Sequence, residues 1–161
     1  MEKVESKGSD RLKYPGRIGR WLYKIPILWY RLGLGCLFAN FLLLLTTTGR
    51  RTGLSRDTPI EYEELDGVFY IISAWGTRPD WYRNILADPG VRFQLGRRRF
   101  SRLAVPVSDP EVKAAVIGRK WSRGRIYRHL LQLVGVPPNA SSEEIRRVAS
   151  KLTMVAIRPG T

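Results

Sequence analysis

Hydrophobic residues recur along this chain in two periods, and the changes of period mark its elements. Tyr14, Ile18, Trp21, Leu22, Ile25 and Trp29 fall at helical spacing while Arg17, Arg20, Lys24 and Arg31 take other faces, which predicts an amphipathic helix over residues 14–31. Pro15 suits its first turn, and Pro26 should kink or break it. Leu42 to Leu45 then read as a buried strand that Thr46 to Thr48 continue, and Gly49 begins a tight turn. Strands over Thr58–Glu64 and Val68–Ser73 bracket Leu65-Asp66-Gly67, a hairpin signal. Asp80–Ala87 reads as a short helix ended by Asp88-Pro89-Gly90. Val91, Phe93 and Leu95 alternate with Arg92 and Gln94 as a half-buried strand, Gly96 starts a turn, and Leu103, Val105 and Val107 mark the returning strand. Asp109-Pro110-Glu111 opens a helix to about Lys120, and Tyr127, Leu130, Leu131 and Val134 suggest another. Ser141 with Glu144 forms a capping box for a third, running through Ser150, and Leu152–Ile157 closes the chain as a strand.

Strands joined by hairpins, with helices set apart, predict an α+β fold with a mostly antiparallel sheet or small barrel. The expected organisation is a disordered polar tail over 1–13, the amphipathic helix over 14–31, and a single domain over 32–161. Leu32 to Leu45 carries no charge but is shorter than the ~20 residues that span a bilayer. A helix with tryptophans on one side and cations on the other suits either packing on its own domain or a membrane surface. No alternating strand–helix–strand pattern and no G-x-G-x-x-G is present, which argues against a dinucleotide-binding Rossmann domain.

Composition changes this picture in two places. Cys36 is the lone cysteine and His129 the lone histidine, so no internal disulfide, metal-ligand cluster or histidine-based triad is expected. The formal charge of +14 on 161 residues is concentrated: Arg92, Arg97, Arg98, Arg99 and Arg102 form one block without acids, and Arg119, Lys120, Arg123, Arg125 and Arg128 another. Such blocks attract polyanions: nucleic acid, anionic lipid, or a phosphorylated, carboxylate-rich cofactor.

Chemistry concentrates in TTTGRRTGLSR, residues 46–56. A strand feeding a turn of hydroxyls, small residues and guanidinium groups suits an oxyanion. Backbone N–H groups are expected as short-range donors, and Arg50, Arg51 and Arg56 as forked partners of phosphate or carboxylate. No Gly-Lys-Ser/Thr ends the turn, so it is not a Walker A loop. A basic hairpin turn with no ligand is the competing reading.

The segments LLLLTTTGRRTGLSRDTPIEY, VFYIISAWG and DWYRNILADPGVRFQLG resemble the deazaflavin-dependent nitroreductase family in order and spacing, over about Leu42 to Val107. The resemblance implies a split β-barrel of the FMN-binding-like kind with flanking helices. It also implies an oxidoreductase that uses reduced coenzyme F-420, a deazaflavin, to reduce nitroaromatics, quinones or similar activated acceptors. The family turn lands on Thr47, Thr48, Gly49, Arg50, Arg51, Thr52 and Gly53, with Arg56, Thr58 and Pro59 following, and there it holds the cofactor phosphate and acidic tail. The ring-side segment falls on Ser73, Ala74, Trp75, Gly76 and Thr77. Here alanine stands for the usual serine, a tryptophan follows it, and Thr77 replaces the second glycine. The W-Y-x-N motif is intact as Trp81, Tyr82 and Asn84, which are implied cofactor contacts or helix-packing residues.

Hydride transfer to such an acceptor calls for a hydrogen-bond or proton donor beside the developing oxyanion. Tyr127 and Ser73 are the catalytic candidates, with Trp75 as a further donor; a structural role for Tyr127 is the competing reading. Expected partners are a quinone or nitroaromatic acceptor and an anionic membrane surface, without specific nucleic acid, and oligomer formation stays open. The expected place is the cytoplasm or the inner face of the cell membrane. Two alternatives remain at this point: the same barrel binding FMN or haem, and a non-catalytic basic protein that binds nucleic acid or anionic membrane.

Overall fold

A computed structural model describes residues 40–158 together with Ile27, Tyr30 and Leu32. The expected tail over 1–13 and nearly all of the expected helix over 14–31 lie outside the described residues. Within described residues 40–158, six strands run in chain order: β1 (Leu42–Thr48), β2 (Ser55–Leu65), β3 (Val68–Ser73), β4 (Gly90–Leu95), β5 (Arg98–Pro106) and β6 (Thr153–Arg158). Four helices accompany them in that range: α1 (Asp80–Ala87), α2 (Pro110–Ser122), α3 (Arg125–Leu133) and α4 (Ser142–Lys151). The strands close into a barrel in the order β1-β2-β3-β6-β5-β4, and every pairing is antiparallel.

Local chemistry explains the joints. Asp66 and Gly67 both adopt positive φ, 53° and 76°, as a two-residue turn matched to the right-handed twist of β2 and β3 requires. Ser141 accepts from the Glu144 N–H while the Glu144 carboxylate accepts from the Ser141 N–H, so the expected capping box opens α4. Two strands are longer than the alternation predicts. β2 begins at Ser55, because Thr48 of β1 supplies its partner, and β5 begins at Arg98, which pairs with Leu95. Exposed arginines and serines hide a strand from a hydrophobicity pattern, although the backbone ladder does not care what they carry.

Inside the barrel, Leu43, Leu45, Ile71, Val91, Phe93, Val155 and Ile157 meet Trp81, Tyr82 and Ile85 of α1. A second apolar layer lies outside, where Val116 and Ile117 of α2, Leu131 of α3, and Ile145 and Ala149 of α4 cover Met154. β6 is therefore buried on both faces from Met154 to Ile157, with alternate residues serving the two layers. This division fixes the barrel wall between the helical layer and α1.

Candidate functional site

The turn between β1 and β2 is wound tightly on Gly49. The Gly49 carbonyl accepts from the Thr52 and Gly53 N–H groups at 3.0 and 2.7 Å, and the Gly49 N–H donates to the Leu54 carbonyl at 2.8 Å. A Cβ on Gly49 would sit 3.0 Å from Thr52 Oγ1 and 3.1 Å from the Leu54 carbonyl oxygen, so the turn closes this tightly only around glycine. Gly53 takes φ +68°, the left-handed conformation that glycine adopts without strain.

One expectation is corrected here. The N–H groups of Gly49, Thr52 and Gly53 are spent inside the turn, that of Leu54 points to Thr52 Oγ1 at 3.4 Å, and that of Arg50 goes to Asn84. Most of the turn's amides are thus engaged within the protein, so apart from the Arg51 N–H its outward donors are side chains.

Asn84 holds the turn to α1. It is 2% exposed, and its Oδ1 accepts from the Arg50 N–H at 3.2 Å and from Arg50 Nη1 at 3.1 Å. Its Nδ2 donates to Thr47 Oγ1 at 3.1 Å, a bond between two buried side chains. Arg50 Nη1 also lies 3.0 Å from Asp80 Oδ1. Arg50 is thus engaged by α1, which leaves the exposed Arg51 and Arg56 as the cations that face solvent. Arg56 Nη2 donates to Thr52 Oγ1 at 3.4 Å, and neither Arg51 nor Arg56 has an ion-pair partner among the described residues. Two guanidinium groups without carboxylates are a donor set suited to a phosphate or carboxylate ligand. Thr58 and Pro59 continue from Arg56 on β2, half-buried opposite Leu45 and Leu44.

The ring-side segment follows β3 and leads directly into α1. Ser73 is buried and its hydroxyl donates to the Gly76 carbonyl at 2.6 Å, so its proton is engaged in shaping the loop of Ala74, Trp75 and Gly76. Trp81 and Tyr82 lie in the barrel core, edge to face at 5.8 Å, with 7% and 8% exposure. Their position is that of packing residues that seat α1 against the barrel.

Tyr127 is not brought to this turn. It lies on α3 with the Arg123 guanidinium 4.5 Å from its ring centroid. Arg123 in turn donates to Glu63 Oε2 at 3.0 Å and to the Asn40 carbonyl at 3.4 Å. That is the end of the barrel where β1 starts, and six residues at about 3.3 Å each put it roughly 20 Å along the strand from Thr48. Burial pulls the Arg123 pKa down, but the hydrogen bond and charge of Glu63 outweigh it and hold the guanidinium charged. Burial, then the neighbouring Glu64 carboxylate, push the nearby Tyr62 hydroxyl above its ordinary value.

The second basic block also needs correction. Arg119 Nε lies 3.3 Å from Glu63 Oε1, and Lys120 Nζ 2.7 Å from Glu61 Oε1, so with Arg123 three of its cations are paired with β2. Proximity to acids about sixty residues away was invisible in the linear charge pattern. The part played by Asp80 was missed as well; in the sequence it marked only the start of the short helix.

The sequence profile of the F420H(2)-dependent quinone reductase family matches residues 33–123, more than half of the chain. The chain belongs to that family. Within the F420H(2)-dependent quinone reductase family, an F420H(2)-dependent quinone reductase of Mycobacterium tuberculosis and a putative one of Mycobacterium bovis are each 36% identical over 74 residues, covering 43% of this chain and 50% of the relative. The chain thus spans about half the length of the curated relatives it matches. A crystal structure of a conserved hypothetical protein from Mycobacterium tuberculosis superposes with a TM-score of 0.55 at 21% identity, covering 78% of this chain and 79% of that one. A haem-binding protein from Mycobacterium smegmatis reaches 0.50 at 12% identity, covering 78% and 49%. These two likenesses establish the split-barrel fold. Among the described residues no helix is long and apolar enough to cross a membrane.

Proposed function

We propose that the protein is an oxidoreductase that binds reduced coenzyme F-420 and delivers its hydride to a quinone. The observation that carries this reading is the pair Arg51 and Arg56, exposed and without carboxylate partners, on a turn that α1 locks through Asn84. Family membership and the quinone-reductase activity for which the 36%-identical Mycobacterium tuberculosis relative is named support it. When bound, the coenzyme supplies a two-electron hydride. The chain's own residues do the rest: Arg51, Arg56 and the Thr52 hydroxyl hold the anionic portion by charge-assisted bonds. The loop of Ala74, Trp75 and Gly76, held by the Ser73 hydroxyl, would supply one side of the pocket for the ring. Ser73 can present lone pairs to a ligand, but it can donate its proton only by releasing Gly76. Tyr127 remains a proposed donor for acceptor chemistry at the other end of the barrel, with the Arg123 charge over its ring.

The test is a coenzyme titration of the purified protein, followed by turnover with a soluble quinone. Each charge-assisted contact contributes roughly 1.5–3 kcal/mol, so Arg56→Ala is expected to weaken coenzyme binding about ten- to a hundredfold while turnover at saturating coenzyme changes far less. Binding of FMN in place of the deazaflavin, or unchanged coenzyme affinity in a folded Arg56→Ala protein, would overturn this assignment.

A further inference from the structure

We propose that the barrel carries a second oxyanion site on the opposite face of β1, a cleft that takes a phosphate group. Side chains alternate along a strand, so with Thr47 turned to Asn84, Thr46 and Thr48 face the other way. The register assembles the rest: Thr46 lies opposite Arg92, Thr48 opposite Ser55, and Arg92 opposite Ser101. They line a cleft of about 210 Å³, which Thr47, Val91 and Arg102 border with side chains turned to the other face and to which Gly90 contributes no side chain. At roughly 30 Å³ per water, that space admits a phosphate group with part of its hydration shell.

The hydrogen bonds show which donors are left for a ligand. Arg92 Nη2 donates to Ser55 Oγ at 3.0 Å, which orients the guanidinium and leaves the Ser55 proton to point elsewhere. Thr46 donates to Asp57 Oδ1 at 2.8 Å and so offers the cleft only lone pairs. Arg102 donates to the Ser101 carbonyl at 2.9 Å. Arg92 has no ion-pair partner among the described residues, and the Asp57 carboxylate, opposite Thr46 on the same face, is engaged by the Thr46 hydroxyl. Arg102, opposite Val91 in the register and with its guanidinium 5.6 Å from the Phe100 ring centroid, turns to the other face. The Arg92 guanidinium fork with the hydroxyls of Thr48, Ser55 and Ser101 is therefore the donor set offered to the oxygens of a tetrahedral phosphate. Arg56 is opposite Thr47 in the register, and so belongs to the other face of the sheet. This cleft is therefore separate from the turn assigned to the coenzyme. Its phosphate can come from a soluble phosphate ester or from a lipid headgroup, which present the same oxygens.

The experiment titrates isotope-labelled full-length protein with inorganic phosphate while recording the amide resonances of Gly90, Val91, Arg92, Ser101 and Arg102. Saturable shifts are expected in the wild type and in Arg56→Ala, with binding weakened at least about tenfold in Arg92→Gln, the loss of one charge-assisted contact. Arg102→Gln, which removes a cation from the other face of β5, is expected to bind phosphate at the cleft as the wild type does. Sedimentation with phosphatidylglycerol vesicles separates the sources: vesicle binding that Arg92→Gln weakens and inorganic phosphate competes away assigns the headgroup. Saturable phosphate binding without vesicle binding assigns a soluble ester. Cleft resonances that never saturate, or that saturate with wild-type affinity in Arg92→Gln, would overturn the site. A parallel loss of coenzyme affinity in Arg92→Gln would overturn its independence from the turn.

Discussion

Asn84 is a single buried amide that determines the shape of an exposed turn. It uses its oxygen for Arg50 and its nitrogen for Thr47, so truncation strands partners on both sides of the α1 contact. Asn84→Ala is expected to cost about 1–3 kcal/mol in chemical denaturation, the penalty for buried groups left unsatisfied. Coenzyme affinity should fall with it, because Arg51 and Arg56 ride on the turn that Arg50 anchors. Asn84→Asp keeps an acceptor for Arg50 and loses only the donor to Thr47, so its losses should be smaller. Destabilised Asn84→Ala protein with unaltered coenzyme affinity would show that the turn keeps its shape without the clamp. The importance of Asn84 was readable from the W-Y-x-N motif. Its partners were not, because Thr47 is thirty-seven residues away in sequence and only the barrel brings it near.

Elements are held together here by a charged seam as well as by apolar layers. Glu63 sits on β2 beneath α2 with its side chain 1% exposed, whereas its partners Arg119 and Arg123 retain 55% and 34%. That asymmetry decides the cost of breaking the seam. Removing both arginines leaves an uncompensated buried carboxylate, and Arg119→Ala with Arg123→Ala is expected to lose about 3–5 kcal/mol. Glu63→Gln leaves cations that can rehydrate, and should lose less in the same urea titration. Lys113 on α2 behaves differently. It is buried near α4, its Nζ reaches only the Ser150 carbonyl at 3.3 Å, and burial lowers its pKa below 10.5. The folded state therefore binds this proton less tightly than the unfolded chain does. The charge penalises folding at neutral pH, and stability from this group rises with pH through the window between the lowered value and 10.5. Lys113→Met should raise the melting midpoint by about 2–4 °C, the shift that roughly 1 kcal/mol makes in a domain of this size, and should flatten the alkaline rise. Helix positions were legible from periodicity and caps. The seam was not, since no local pattern tells an exposed arginine from one laid over a buried glutamate.

Over the whole molecule, the order of strands and helices followed from alternation, hairpin turns and capping, but closure of the barrel did not. β1 pairs with β4, and β3 and β5 with β6, across separations that periodicity cannot report; the element order left an open sheet or a small barrel, and the resemblance of the turn and its flanking motifs implied the barrel. The same nonlocality redistributes charge. Arg97 and Arg99 sit exposed at the β4–β5 hairpin, where Arg99 donates only to Gln94, while Arg119 and Arg123 share Glu63. Net charge alone would treat the pairs alike: replacing either with glutamine takes the formal +14 to +12, a loss of two. The local field would not. A polyanion approaching the hairpin meets guanidinium groups that no acid among the described residues pairs with, whereas at α2 part of the charge is spent on a carboxylate less than a Debye length away. Arg97→Gln with Arg99→Gln should therefore elute from a heparin column at distinctly lower salt than Arg119→Gln with Arg123→Gln, once circular dichroism shows both folded. Equal elution shifts would mean that total charge, and not its arrangement on the barrel, governs polyanion attraction.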